Sequence, residues 1–273
     1  MTSTAAVATV SATSDTTPAL QTIQLEKVFG SKGALTKALN GIDLVVKKGE
    51  FVAIMGPSGS GKSTLLNCIA TIENSTAGQI IVDGRDVTRL RGKNLTNFRR
   101  DDLGFIFQDG NLIDTLSGYE NIALALSIQK VPTAQIDGRV RKMAEALDVT
   151  GVLDKRPSQM SGGQRQRVAA ARALVTKPKL VLADEPTGAL DSRNARIMME
   201  SLTTMNKQLG ATILMVTHDA FAASFAHRVV FVRDGRIFNQ VTAGAGSESR
   251  NELFERIMKV QAFLGGEVAR NDA

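Results

Sequence analysis

Several residue types are scarce in this sequence. Its 273 residues include no tryptophan, one tyrosine, one cysteine and two histidines. The one cysteine, Cys68, excludes an internal disulfide, and we expect a reducing compartment. Two histidines are too few for a histidine-rich metal cluster. The net charge of +6 suits nucleic acid, an anionic membrane surface or solubility alone. The scarcity of aromatic rings that stack on bases argues against nucleic acid as a partner.

Long hydrophobic runs and targeting features are also missing. No stretch of about eighteen consecutive apolar residues occurs, so we expect no membrane span. Residues 1–20 contain no Lys or Arg and therefore lack the basic start of a signal peptide. We predict a disordered N-terminal tail over residues 1–20, one domain over residues 21–266 and a C-terminal tail over residues 267–273. The domain contains no internal repeats and no heptads.

Glycine, by contrast, is concentrated in one short loop. Residues 56–63 read GPSGSGKS, which matches the phosphate-binding pattern G-x-x-x-x-G-K-S. The apolar run 51–55 before it predicts a buried strand, and residues 63–70 after it predict a helix, which argues against a chance match. Glycines let backbone N–H groups point at phosphate oxygens; Lys62 would reach the β- and γ-phosphates, and the Ser63 hydroxyl would bind Mg²⁺. The candidate nucleotide-binding residues of this loop are Gly56, Pro57, Ser58, Gly59, Ser60, Gly61, Lys62, Ser63 and Thr64.

A second glycine-rich helix start occurs later in the chain. Residues 161–164 read SGGQ and open a predicted helix that runs to about Val175. Ser161 is a favourable N-cap residue, and a helix start rich in glycine can also bind an anion. Its candidate phosphate-binding residues are Ser161, Gly162, Gly163 and Gln164.

Two neighbouring carboxylates end an apolar strand. The run 179–183 is followed by Asp184 and Glu185. In enzymes with a phosphate-binding loop of this type, the first carboxylate at such a strand end contributes to the Mg²⁺ site. The second can orient or deprotonate the attacking water. The alternative is an ordinary strand end followed by a turn.

The alternation of strands and helices predicts an α/β fold with a mostly parallel sheet, that is, a P-loop NTPase core. Alternating apolar residues near 42–46 and 79–83 predict an antiparallel β subdomain beside it. Residues 85–102 are crowded with charge and are predicted to form a solvated face. A helical stripe of apolar residues predicts an inserted α-helical subdomain over roughly residues 109–165. The stripe consists of Ile136, Val140, Met143, Ala144 and Leu147.

An amphipathic helix is predicted near the C-terminus. Its apolar residues are Leu253, Phe254, Ile257, Met258, Val260 and Leu264. We expect it to dock on its own domain, and the alternative is a contact with a membrane or a partner.

Taken in order, these motifs resemble those of the nucleotide-binding subunit of ATP-binding cassette (ABC) transporters, over about residues 23–266. The motifs that carry the resemblance are the phosphate-binding loop, Gln108, MSGGQ at 160–164, DEP at 184–186, ALD at 189–191 and TH at 217–218. Met160 replaces the usual Leu, a volume-conserving change. Ala189 stands where Ser is frequent, which puts one hydroxyl contact in doubt.

The resemblance implies a head-to-tail homodimer that binds two ATP molecules with Mg²⁺. Each ATP would lie between the phosphate-binding loop of one copy and residues 161–164 of the other. Phe29 would stack on adenine, where the family usually has Tyr, and Asp191 would link the two sites.

The resemblance also implies catalytic roles. Glu185 would be the general base, and His218 would contact the γ-phosphate and the attacking water. Gln108 would contact Mg²⁺ or water and sense the transport partner, so Ser63, Gln108 and Asp184 are the candidate metal-binding residues.

Local matches resemble the macrolide-export and lipoprotein-release branch of the family, and most of all the ATPases of bacitracin-type peptide-antibiotic resistance transporters. These matches lie at residues 98–108, 111–116, 211–219 and 222–225. The implied partner is an integral membrane permease, often accompanied by a sensor histidine kinase, and the implied location is the cytoplasmic face of the cell membrane. Alternatives are macrolide or lipoprotein export, a mechanical role of the cell-division type, solute import, and the DNA-repair or translation ATPases that share the cassette.

Overall fold

The computed structural model describes residues 17–30, 34–244 and 249–271, with side chains as far as residue 264. The tail predicted over residues 1–20 therefore lies mostly outside the described residues. The strands are β1 Leu20–Phe29, β2 Thr36–Val46, β3 Phe51–Met55, β4 Ala77–Val82, β5 Arg85–Asp86, β6 Leu103–Ile106, β7 Leu180–Asp184, β8 Ile213–Val216, β9 Arg228–Arg233 and β10 Arg236–Thr242. The helices are α1 Lys62–Ile69, α2 Gly92–Asp101, α3 Gly118–Ile128, α4 Thr133–Ala146, α5 Gly162–Leu174, α6 Ser192–Leu209, α7 Ala220–Ala223 and α8 Arg250–Asn271.

The core is a six-stranded sheet in the order β10-β9-β3-β8-β7-β6. Every pair in it is parallel except β9 with β10. All residues of β3 and β8 are buried, as expected of parallel strands covered on both faces. The predicted α/β class with a mostly parallel sheet is confirmed.

A second, antiparallel sheet lies beside the core in the order β2-β1-β4-β5, which confirms the predicted antiparallel β subdomain. Its first strand begins inside the predicted tail. Leu20 is fully buried and pairs with Val46 on one side and Val82 on the other. The ordered domain therefore begins before residue 21, because this apolar side chain completes the strand.

Helices α3 and α4 and two 3-10 turns, Thr150–Val152 and Pro157–Gln159, fall within the region predicted as a helical subdomain. The predicted stripe faces inward: Val140, Ala144 and Leu147 are fully buried. The charged segment 85–102 contains α2, which buries one ring, Phe98, at 1% exposure. This segment is therefore partly a packed helix rather than only a solvated face.

The C-terminal helix α8 packs against α7 and β10 of its own domain, as expected from its apolar stripe. Leu253, Ile257 and Leu264 are its buried anchors. The helix continues beyond the predicted limit at Gly266, to Asn271. Within the described ranges, none of the helices combines the length and hydrophobicity that a membrane span needs.

Candidate functional site

The phosphate-binding loop connects β3 to α1 through backbone that requires glycine. Gly61 precedes α1 in the left-handed region, at φ 100°. A Cβ atom at Gly56 would lie 2.0 Å from the Val232 carbonyl oxygen, and one at Gly61 would lie 2.3 Å from that of Ala38. No side chain caps the start of α1. Its first N–H groups are therefore available to an anion.

Lys62 lies where the same loop joins α1. It is 8% exposed, and its Nζ donates to the carbonyl oxygens of Gly56, at 2.9 Å, and Pro57, at 2.7 Å. Burial lowers the pKa of Lys62, while the carboxylates of Glu185 and Asp184 act in the opposite direction. The buried Ser60 hydroxyl has no hydrogen-bond partner among the described residues. The loop thus has the donors, charge and space that a polyphosphate needs.

Asp184 lies at the end of β7, opposite the loop. Burial and the neighbouring Glu185 charge raise the pKa of Asp184, whereas a hydrogen bond with Ser63 and the Lys62 charge oppose that rise. Mg²⁺ in such sites takes one or two protein oxygens and completes its shell with phosphates and water. Ser63 and Asp184 fit that donor set. The described residues include no cluster of three or more His, Cys, Asp or Glu that would form a closed metal cage.

The side chains of Glu185 and His218 are in contact beside the loop. The Glu185 backbone adopts φ 43°, and its N–H donates to the Val216 carbonyl at 2.9 Å. His218 Nδ1 lies 3.0 Å from Glu185 Oε1. Together with the loop they line a cavity of about 460 Å³. Its lining residues are Ala38, Gly56, Ser58, Gly59, Gly61, Lys62, Ser63, Thr64, Glu185 and His218. Ala38, on β2, carries no sequence motif and was not predicted.

The side chains of Gln108 and Glu185 both lie beside Gly188. A Cβ atom at Gly188 would lie 3.1 Å from Gln108 Nε2 and 3.3 Å from Glu185 Oε2. A side chain at position 188 would therefore crowd both groups. Sequence reasoning missed Gly188, although it lies between two recognised motifs.

Helix α5 binds the segment around Gln108 through two side chains that sequence reasoning missed. Gln166 Nε2 donates to the Phe107 carbonyl at 2.8 Å. Arg172 donates to the carbonyls of Gly110, at 2.9 Å, and Asn111, at 2.7 Å. Burial lowers the pKa of Arg172. No sequence signal separates these two from the other Gln and Arg residues of α5, which are Gln164, Arg165 and Arg167.

The start of α5 does not line this cavity. Ser161 Oγ accepts from the Gln164 N–H at 3.2 Å, and Gln164 Oε1 accepts from the Ser161 N–H at 2.9 Å. Ser161 itself is exposed. Gly163 packs against Asn194, whose side chain donates to Asp191 at 2.8 Å. Residues 161–164 and Asp191 thus form a neighbouring surface of the same chain, apart from the loop.

Phe29, at the end of β1, is also outside the lining of the cavity. Its ring is 39% exposed, and Lys27 Nζ lies 4.6 Å from the ring centroid. An exposed ring can stack on a planar base, and this role of Phe29 remains a prediction.

Comparison with known proteins identifies the family. The ABC transporter family model matches residues 39–188. The bacitracin export ATP-binding protein BceA of Halalkalibacterium halodurans is 48% identical over 247 residues, which is 90% of this chain and 97% of BceA. The macrolide export ATP-binding/permease protein MacB of Brucella melitensis is 42% identical over 82% of this chain and 35% of its own length.

A solved structure is similar as well. It is the dimeric structure of a post-hydrolysis state of the ATP-binding cassette MJ0796, of Methanocaldococcus jannaschii, bound to ADP and Pi. The TM-score is 0.75 and the identity 36%, over 82% of this chain and 98% of MJ0796. The chain described here belongs to the ABC transporter family, and it is one of the family's ATP-binding, ATP-hydrolysing proteins.

Proposed function

We propose that two copies of this chain close head to tail around two Mg·ATP and thereby drive a membrane permease that protects the cell from bacitracin-like peptide antibiotics. One observation carries the dimer: Ser161, which precedes α5, is exposed and does not line the ATP cavity of its own chain. A second copy can bring that helix start to the open side of the cavity, so that two positive helix ends face one anion. The dimeric MJ0796 relative, bound to ADP and Pi, supports a dimer.

The chemistry is hydrolysis of the γ-phosphoryl group. Backbone N–H groups of residues 56–63 and Lys62 bind the phosphates, and Phe29 stacks on adenine. Ser63 and Asp184, with Gln108 nearby, would hold Mg²⁺, which neutralises charge on the phosphate oxygens.

Glu185 accepts a proton from water as the water oxygen bonds to the γ-phosphorus and the bond to the ADP oxygen breaks. His218, in contact with Glu185 at 3.0 Å, orients the water and the γ-phosphate. Asp191, beside Gly163 through Asn194, connects the cavity of one copy with that of the other. Most of the rate enhancement comes from positioning and charge stabilisation.

We place the permease at a groove between α2, β6, α3 and α5. This docking groove has a volume of about 690 Å³, and its lining includes Ile72, Leu95, Phe105, Phe107 and Ile128. Ile72 and Ile128 are more than half exposed, and Phe105 stacks on Phe107 at 4.1 Å. An apolar groove of this size suits a short helix of a partner.

Motion at the groove is linked to the site by α5. Its residues Gln166 and Arg172 bind carbonyls on either side of Gln108. When the start of α5 moves toward ATP on the other copy, the Gln108 segment moves with it, and so does the permease in the docking groove.

The substrate assignment depends on similarity. BceA is named for bacitracin export and aligns over nearly its whole length. Macrolide export is the second candidate, because MacB matches over 82% of this chain and its name joins an ATP-binding part to a permease. The permease would place this protein at the cytoplasmic face of the cell membrane, and a sensor histidine kinase would act through that permease.

The proposal is tested by isolating the membrane protein that co-purifies with this chain and by deleting the gene. We expect a permease in the complex and a deletion strain more sensitive to bacitracin-like peptides than to macrolides. Complementation with a Lys62→Ala variant should fail to restore resistance. Equal peptide sensitivity with and without the gene contradicts the substrate assignment, and a complex without a permease contradicts the transport role.

A further inference from the structure

The C-terminal helix α8 packs beside the segment that carries His218. His218 lies between the end of β8 and the start of α7, and α8 contacts α7. At the start of α8, the Arg250 guanidinium lies 4.4 Å from the ring centroid of Phe225 and 5.7 Å from that of Phe221. Since both rings follow His218 closely in sequence, α8 is fixed to the same local unit as this histidine.

The backbone on both sides of His218 is anchored. The Thr217 N–H donates to the Ile54 carbonyl at 3.1 Å, and Asp219 Oδ1 accepts from the Phe221 N–H at 2.8 Å. Between them, the His218 carbonyl accepts from Gln261 Nε2 of α8 at 3.4 Å. The His218 side chain itself is 67% exposed. The direction of its imidazole therefore depends on its backbone and on its side-chain contact with Glu185, at 3.0 Å.

The Gln261 side chain has one buried polar atom that makes no hydrogen bond to the described part of the chain and that packing alone does not explain. Its Oε1 is buried and has no hydrogen-bond partner among the described residues. A buried polar atom without a partner is destabilising, and Met would fill a similar volume without that cost. The favourable contact that the amide makes is its donation to His218. Residues that lower stability in this way are often retained for activity.

We infer that Gln261 is a positioning residue for ATP hydrolysis, which fixes the His218 backbone so that the imidazole meets the γ-phosphate and the attacking water. This inference rests on the proposed role of His218. Gln261 does not touch the reacting atoms, and the long hydrogen bond to His218 would shorten when nucleotide is bound. Gln261 is not among the residues that line the ATP cavity, so we expect ATP binding to be independent of it.

The first test is Gln261→Met, with Lys259→Met as the control on the exposed side of the same helix. We expect Gln261→Met to lower kcat about tenfold or more, because small displacements of a catalytic group have large effects on rate. KM for ATP should stay unchanged, and Tm should stay equal or rise, because the unpaired Oε1 is gone. Lys259→Met should match the wild type. A Gln261→Met protein with wild-type kcat, or one whose kcat falls only together with Tm, overturns the inference.

A second test uses the proton that a carboxyl group can supply. In Gln261→Glu, the ionised side chain cannot donate to the His218 carbonyl, whereas the protonated one can. Burial raises the pKa of a carboxyl group toward neutrality. The ratio of the Gln261→Glu kcat to the wild-type kcat should therefore rise as pH falls from about 8 to about 6. A ratio that stays constant with pH overturns the inference.

The His218→Ala variant separates failure of this inference from failure of the proposed function. If His218→Ala loses turnover and Gln261→Met has no further effect in that background, Gln261 acts through His218. If His218→Ala is inactive while Gln261→Met is normal, only the inference about Gln261 is wrong. Wild-type turnover in His218→Ala overturns the proposed role of His218 and this inference with it.

Discussion

Two helix starts in this molecule have the composition of phosphate sites, but they differ in how they are capped and in whether they line a cavity. At α1, Gly61 is left-handed, no side chain caps the helix, and the loop lines a cavity with Glu185 and His218. At α5, Ser161 and Gln164 form a reciprocal capping box, and the exposed Ser161 lies outside that cavity. The start of α1 is therefore open to an anion, whereas at the start of α5 two backbone N–H groups already have hydrogen-bond partners within the capping box.

This difference suggests an order of events. The first N–H groups of α1 can bind a phosphate without breaking an existing hydrogen bond, so we expect a single copy to bind ATP. A phosphate that reaches α5 competes with the Ser161–Gln164 hydrogen bonds and gains less. ATP should therefore bind first to the loop of one copy, and α5 of a second copy should follow more weakly.

The largest effect should come from Glu185→Gln. Loss of a general base lowers rates by about 10²- to 10⁴-fold, while the donors at α1 are untouched. We expect turnover to fall by that factor and ATP affinity to stay within about twofold. Steady-state hydrolysis and equilibrium binding measure the two quantities. The exposed Glu145→Gln is the control, and wild-type turnover in Glu185→Gln would refute the base assignment.

Lys62→Ala should break the first helix start itself. Loss of charge-assisted hydrogen bonds to the phosphates should weaken ATP binding about a hundredfold. Isothermal titration measures the affinity, with Lys142→Ala, an exposed lysine of α4, as the control. Unchanged affinity would show that the loop is not the ATP site.

Ser161→Ala should sharpen the comparison, because Ser117 provides a matched control. Ser117 forms the same kind of capping box with Glu120 at the start of α3. Both Ser→Ala changes should cost about 1 kcal/mol of unfolding free energy. Only Ser161→Ala should also lower turnover, by about tenfold, since it alone removes a hydroxyl expected to contact phosphate. Equal turnover in the two variants would count against the role of α5.

Asp184→Asn should change stability and activity in opposite directions. Burial and Glu185 raise the pKa of Asp184, so its ionised form destabilises the nucleotide-free protein at neutral pH. We expect Tm without nucleotide to rise. The gain should shrink as pH falls through the raised pKa, where Asp184 is protonated anyway.

Mg²⁺-dependent hydrolysis should be lost in the same Asp184→Asn variant.

Calorimetry over a pH series measures the effect of Asp184→Asn on stability, with the exposed Asp154→Asn as the control. A lower Tm for Asp184→Asn would contradict the charge argument.

The features that the sequence predicted correctly are local ones. The loop of residues 56–63, the strand that ends at Asp184 and the Ser161 cap are each specified within about ten residues by glycine, apolar runs and cap chemistry. The parallel core follows from the alternation of such segments. The burial of Cys68 within α1, at 1% exposure, also agrees with its position in the helix.

The contacts that were missed join distant parts of the chain. Arg172 reaches Gly110 and Asn111, the Gln108 side chain lies beside Gly188, and Gln261 reaches His218. No periodicity relates these residues, because side-chain contacts depend on the packed fold. The same holds for α2, where the single buried ring of Phe98 fixes a helix in a charged segment.

The most direct test of the account is the mass of the Glu185→Gln protein in solution with saturating Mg·ATP, measured by light scattering or sedimentation. We predict twice the mass of one chain with ATP, the mass of one chain without it, and the mass of one chain with ATP when Ser161→Glu is added. A Glu185→Gln protein that binds ATP and still has the mass of one chain at high concentration would contradict the account. So would a complex with the permease that contains a single copy of this chain when ATP is bound.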